Sequence, residues 1–250
     1  MTGMYQEIED TTDVVNVAHD FAASMNWTAT SFYALILLAI ALAPTTAWAK
    51  KAWVPPGETK CHGFNFSGWS IDPDPKGLNV RAGPSIKAKI LGTLPSYAFY
   101  GNERYVGPEF DIIGSKNGWL RIKNGRDYAA LSYEFKPRKT YSGVGWIHGS
   151  RVRFAVQSGL GYQRPDKTSP QLLNISNDWL TDMGAITKVL ACQGKWVLLD
   201  YKIERKRTET GGLDEYSPAE QKKTRGRAWF LGVCPSQETT CDGVTPDTKP

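Results

Sequence analysis

The stretch Gly77-Leu78-Asn79-Val80-Arg81-Ala82-Gly83-Pro84-Ser85 decides the fold class. Leu78 and Val80 alternate with Asn79 and Arg81, the period-two pattern of a half-buried strand, and Gly83-Pro84 ends it in a turn. Outward from it, residues 88–94, 110–113, 118–122 and 143–147 read as further short strands, each entered or left through Gly or Asn. The 250 residues are 41% apolar and 22% charged, the composition of a folded chain, with 24 Gly and 15 Pro to supply turns. Long helical periodicities are scarce. The fold class is therefore all-β.

The pattern recurs. Residues 186–201 match 110–123 in outline: a strand, a short polar turn, then Trp196 or Trp119 opening the next strand. Gly226-Arg227-Ala228-Trp229 likewise answers Gly143-Val144-Gly145-Trp146. An internal duplication follows. It divides the chain into a lead-in over 50–69, a first domain over 70–156, a linker over 157–169 rich in Gly, Pro and Ser, and a second, diverged domain over 170–241. A disordered tail over 242–250 closes it. In the second domain residues 170–180 are expected to stand where the first has 77–85.

Ahead of the lead-in, residues 31–43 are an apolar run followed by Pro44 and by Ala47-Trp48-Ala49. The run suits a signal-peptide helix and is shorter than the roughly 20 residues that span a bilayer. Cleavage after about Ala49 is predicted, giving a periplasmic or extracellular protein with no stable transmembrane span after processing. An uncleaved anchor is the alternative, and translation starts at Met1 or Met25. Residues 1–49 hold five acids and no Lys or Arg, so a chain without them keeps 30 bases against 20 acids. A charge of +10 suits meeting anionic surfaces.

Cys61, Cys192, Cys234 and Cys241 all follow the cleavage site, and an even number in an oxidising compartment favours two disulfides. Four cysteines allow three connectivities. The short spacing favours Cys234 with Cys241, leaving Cys61 with Cys192; Cys192 with Cys234 is the alternative. Without a C-x-x-C pair, no metal site is expected.

The run at 77–85, with Gly92, Leu94, Gly118-Trp119 and Gly145-Trp146-Ile147 in order behind it, resembles the bacterial SH3-like (SH3b) domain family. Trp229-Phe230-Leu231-Gly232-Val233-Cys234 and Thr239-Thr240-Cys241 resemble the endings of partner SH3-like domains in exported bacterial proteins. The resemblance implies two small SH3-like β-barrels in tandem and a role in recognition, commonly of peptidoglycan or its stem peptides.

On the residues themselves, Trp119, Trp146, Trp196 and Trp229 are expected as structural anchors of cores too small for much else. Asn79 and Arg81, on the strand face opposite Leu78 and Val80, are candidate ligand contacts. So are Tyr128, Tyr133 and Arg138 in the insertion 123–141, where aromatic rings interleave with bases. A second basic insertion, 202–227, holds Glu204, Glu209, Asp214, Glu215 and Glu220, which weigh against nucleic acid as a partner. With His62 and His148 the only histidines after residue 49, and no nucleophile or phosphate-loop motif, no catalysis and no cofactor are expected. Peptidoglycan, an envelope peptide or another envelope protein is the expected partner.

Overall fold

The computed structural model describes residues 51–62, 66–100, 104–127, 138–234 and 237. The apolar run 31–43, the tail 242–250, Tyr128, Tyr133 and Cys241 lie outside the described residues. Among those described, no helix is long and apolar enough to cross a membrane.

The chain is mostly β-sheet, as its alternation predicts. The lead-in enters with β1 (Thr59–Lys60) and β2 (Ser67–Ser70). In β3 (Leu78–Arg81) Leu78 and Val80 are buried while Asn79 and Arg81 are half-buried. Then come β4 (Ile90–Leu94), a small hairpin of β5 (Ala98–Tyr100) with β6 (Arg104–Val106), β7 (Glu109–Lys116), β8 (Trp119–Arg126) and β9 (Gly145–His148). A 3-10 turn at Gly149–Arg151 leads to β10 (Val152–Arg153) and β11 (Ala155–Val156). The second half runs through β12 (Leu160–Tyr162), β13 (Gln171–Asn174), the short helix α1 (Leu180–Met183), β14 (Gly184–Gln193) and β15 (Trp196–Ile203). It finishes with a hairpin of β16 (Arg205–Arg207) and β17 (Leu213–Glu215), helix α2 (Pro218–Lys223), β18 (Arg225–Phe230) and β19 (Val233–Cys234). Ser217 and Glu220 form a capping box that fixes where α2 begins.

Each half builds one main sheet, and the two share a connectivity. In the first the spatial order is β4-β3-β9-β8-β7, extended by β2 and β10, with β1 also paired to β7; in the second it is β13-β12-β18-β15-β14. Strands third, fourth and fifth in each set follow one another as neighbours, and the fifth returns to pair the first. Local chemistry sets the turns. Asn117-Gly118 links β7 to β8 with both residues at positive φ, 52° and 79°, matching the twist of a two-residue hairpin.

Three expectations need correction. Neither sheet is a closed barrel: β4 does not pair β7, nor β13 pair β14. In chain order the β5–β6 hairpin comes between β4 and β7, and α1 between β13 and β14. Residues 157–169 are no linker, because β12 lies among them, buried and paired to both β13 and β18. Their Gly and Pro serve a hairpin instead. A Cβ on Gly161 would meet Ala228 Cβ at 2.8 Å and Phe230 Cζ at 2.9 Å, while Arg164 and Ser169 bond within the turn. Residues 170–180 consequently supply the second strand of their half, β13, and not the first.

The halves share one apolar core. Leu78, Val80, Phe110, Ile112, Leu120, Ile122 and Ile147 from the first join Ile186, Val189, Val197, Leu199, Ala228 and Phe230 from the second. At the seam the Asn117-Gly118 turn and Gly149 press on β14: Gly118 N–H donates to Leu190 O, and Gly149 N–H to Gly118 O. A Cβ on Gly149 would lie 1.8 Å from Val189 O. Gly149→Ala is therefore expected to cost about 3 kcal/mol by forcing the seam apart. Gly57→Ala, with nothing within 4 Å of its Cβ, should change stability by no more than about 0.5 kcal/mol. Urea unfolding of both variants checks this; equal midpoints would mean that the seam yields freely.

Candidate functional site: two equivalent outer faces

Side chains alternate across a strand, so the neighbours of core residues point away from the core. Trp146 lies between core residue Ile147 and Gly145, and Trp229 between core residues Ala228 and Phe230. Both tryptophans therefore sit on the outer faces of their sheets, in matching rows. In the first half Ile90, Arg81, Trp146 and Arg121 stand opposite one another across β4, β3, β9 and β8. In the second, Gln171, Tyr162, Trp229 and Leu198 do so across β13, β12, β18 and β15. The backbone beyond each first strand matches too: Ala82 N–H donates to Lys89 O at 2.8 Å, and Gln163 N–H to Pro170 O at 2.8 Å.

The second face is covered by the chain's own lead-in. Trp53 stacks on Trp229 with ring centroids 6.1 Å apart, and Ala52 and Trp53 pack among Leu160, Tyr162, Leu198 and Trp229. Three hydrogen bonds hold the segment extended: Trp53 N–H to Gln163 O (2.8 Å), Trp229 Nε1–H to Trp53 O (2.8 Å) and Gln163 Nε2–H to Lys51 O (3.2 Å). Under it Trp229 is 0% exposed. Downstream the lead-in is tied at both halves. β1 pairs β7, Cys61 is disulfide-bonded to Cys192 across 131 residues with Cα atoms 5.4 Å apart, and His62 N–H donates to Gly194 O. Buried Ser115 joins the three segments there. Its Oγ accepts from Cys192 N–H at 2.8 Å and lies 2.6 Å from Thr59 Oγ1.

The first face carries charge where the second is apolar. Arg81 and Arg121 flank Trp146 in the places of Tyr162 and Leu198. Arg81 Nη1 donates to Ala88 O at 2.9 Å and so holds its own turn, while Arg121 reaches Glu58 at 3.3 Å, an exposed pair of small energetic weight. Ile90 and Leu91 of the edge strand β4, and Val144 before β9, leave 40–48% of their surface in water. Nearby His148 has its pKa lowered, first by burial and then by the charges of Lys188 and Arg151, which favours a neutral imidazole beside Ser150 and Trp119.

The candidates named from sequence fall in different places. Asn79 is half-buried opposite Thr93, on the same outer face as Arg81. Arg138 is not on that face. It forms a clamp on buried Asp127 through Nε (2.9 Å), Nη2 (2.9 Å) and its backbone N–H (2.7 Å), with Nη1 on Ser96 O. Trp146 and Trp229 are buried, whereas Trp119 and Trp196 are half-buried, edge-on to His148 and Tyr162. Cys234 is disulfide-bonded. Four cations of the second basic insertion are ion-paired: Arg207 with Asp178, Arg227 with Asp200, Lys202 with Glu204 and Lys206 with Glu220. Asp111, opposite Lys123 on the outward side of β7 and pushed up by burial but bonded by Arg126, Asn124 and Ser67, has its pKa lowered overall. Sequence reasoning missed Trp53, Arg121 and Ser115.

These features define an all-β protein with a duplicated five-strand sheet and two outer faces, one self-covered. No protein-family model, curated protein or solved structure matches the chain.

Proposed function

We propose that the chain is an exported, non-catalytic recognition protein built on two SH3-like units, binding peptidoglycan or an envelope peptide. The observation that carries this is the shared strand order of the two halves, with the SH3b-like motif lying on β3, the turn that Arg81 holds, and β4. The buried Cys61–Cys192 bond supports export, since such bonds persist in oxidising compartments. Export would follow cleavage after about Ala49. A second reading, in which the units clasp a peptide of another envelope protein, is favoured by the extended lead-in lying on the second outer face.

Co-sedimentation of the oxidised protein with purified sacculi separates the two. Retention that persists at about 0.15 M salt is the result expected of wall binding, because contacts between exposed charges are largely screened there. Binding only at low salt would reduce the interaction to general attraction between a cationic chain and an anionic polymer.

A further inference from the structure

The second outer face shows what the duplicated sheet holds when it is occupied: an extended stretch of L-polypeptide. Its backbone bonds there use the carbonyl after the first strand and the indole N–H of the fifth, Gln163 O and Trp229 Nε1. The first half has Ala82 and Trp146 at the matching register positions, with Ala82 O and Trp146 Nε1 as the corresponding groups. Their equivalence is fixed by Arg81 and Tyr162, each opposite its tryptophan, and by the paired turn bonds of Ala82 and Gln163. Among the described residues neither Ala82 O nor Trp146 Nε1 is hydrogen-bonded.

From this we infer that the first outer face is a peptide-docking site, taking an extended segment of another protein that places an acidic side chain where Trp53 sits in the second half. The incoming residue's N–H donates to Ala82 O, and its carbonyl accepts from Trp146 Nε1. The change of side chain follows from the row beneath it. Tyr162 and Leu198, which flank Trp229 and suit an indole, are replaced by Arg81 and Arg121, whose guanidinium groups suit a carboxylate. Exposed Ile90, opposite Arg81, and Val144, two residues before Trp146, offer the rest of the segment an apolar margin. The inference rests on the recognition reading above and narrows it to a protein segment, because the occupant of the sister face is one.

Indole Nε1–H resonances of the oxidised full chain provide the test, with that of Trp146 assigned from Trp146→Phe. The probe is an acetylated, amidated peptide of residues 52–57 carrying Trp53→Glu; the unaltered 52–57 peptide is the control. The Glu peptide is expected to move the Trp146 resonance saturably, and the control to move it at concentrations about tenfold higher or not at all. Arg121→Glu should weaken the Glu peptide by about tenfold and gain binding of a Trp53→Lys peptide, a reversal that misfolding cannot produce. No movement of Trp146 at millimolar peptide, equal response to the control, or tighter response to a free peptidoglycan stem peptide each overturns the inference. Sacculus retention without the Trp146 response would sink this inference and leave wall recognition standing; the converse would do the opposite.

Discussion

Replacing Cys61 and Cys192 together by Ser is expected to lower stability by about 4–5 kcal/mol, the loop-closure value for a ring on the order of 130 residues. The bond joins the lead-in to β14, and its loss frees the unfolded chain more than it removes native contacts. Native consequences follow as well. Ser115 holds Cys192 N–H and Thr59 together beside the bond, and upstream the lead-in carries Trp53 to its place on Trp229. A strap without its anchor should therefore expose Trp229 before global unfolding, seen as early red-shifted tryptophan emission in urea. The oxidised protein should show one later transition. A loss below about 1 kcal/mol would mean that β1 and Trp53 hold the strap without the covalent bond.

Asp127→Ala is expected to cost about 3–5 kcal/mol, the range for removing one partner of a buried ion pair. The Asp127 side chain is 0% exposed, and it accepts from the Arg138 guanidinium and from the Arg138 backbone N–H. Its truncation leaves a guanidinium only 26% exposed without its carboxylate and a backbone donor without its acceptor. Arg138→Ala should be comparably damaging because it strands the carboxylate. The double variant should lose clearly less than the two single losses combined, since no charge is then left unpaired. Additive losses in urea unfolding would show that the residues act independently. Both residues lie within the insertion 123–141 read from sequence as a ligand hairpin, and there Arg138 is bonded to Asp127.

Much of the fold was legible because local chemistry controls it. Alternation in Leu78-Asn79-Val80-Arg81 gave β3 with the faces it adopts, and the short polar turn read before Trp119 is the Asn117-Gly118 hairpin, whose two residues both take positive φ angles. The Trp119/Trp196 and Trp146/Trp229 correspondences pointed to a duplication whose strand order is seen twice. The expected Cys61–Cys192 pairing is also present, though the short Cys234–Cys241 spacing from which it followed involves a residue not described. The 157–169 stretch failed because composition cannot tell a hairpin turn from a linker. Gly159-Leu160 repeats Gly77-Leu78 at an offset of 82, between the two tryptophan offsets of 77 and 83, and that was the available signal.

The candidate site was less legible, since its contacts are long-range. Sequence placed Asn79 and Arg81 on the open face of β3, as period-two alternation requires, but nothing local reveals that Trp53 lies on Trp229, 176 residues away. Nor does local pattern separate Arg138, consumed by Asp127, from Arg121, beside Trp146. Sequence by itself determined the all-β class, the turns and the repeat, because propensity and periodicity act over a few residues. Only the tertiary structure decided which face is covered, which cations are paired and where the sheets stay open. Those outcomes depend on which distant segments meet, and on the desolvation and hydrogen bonding they undergo when they do.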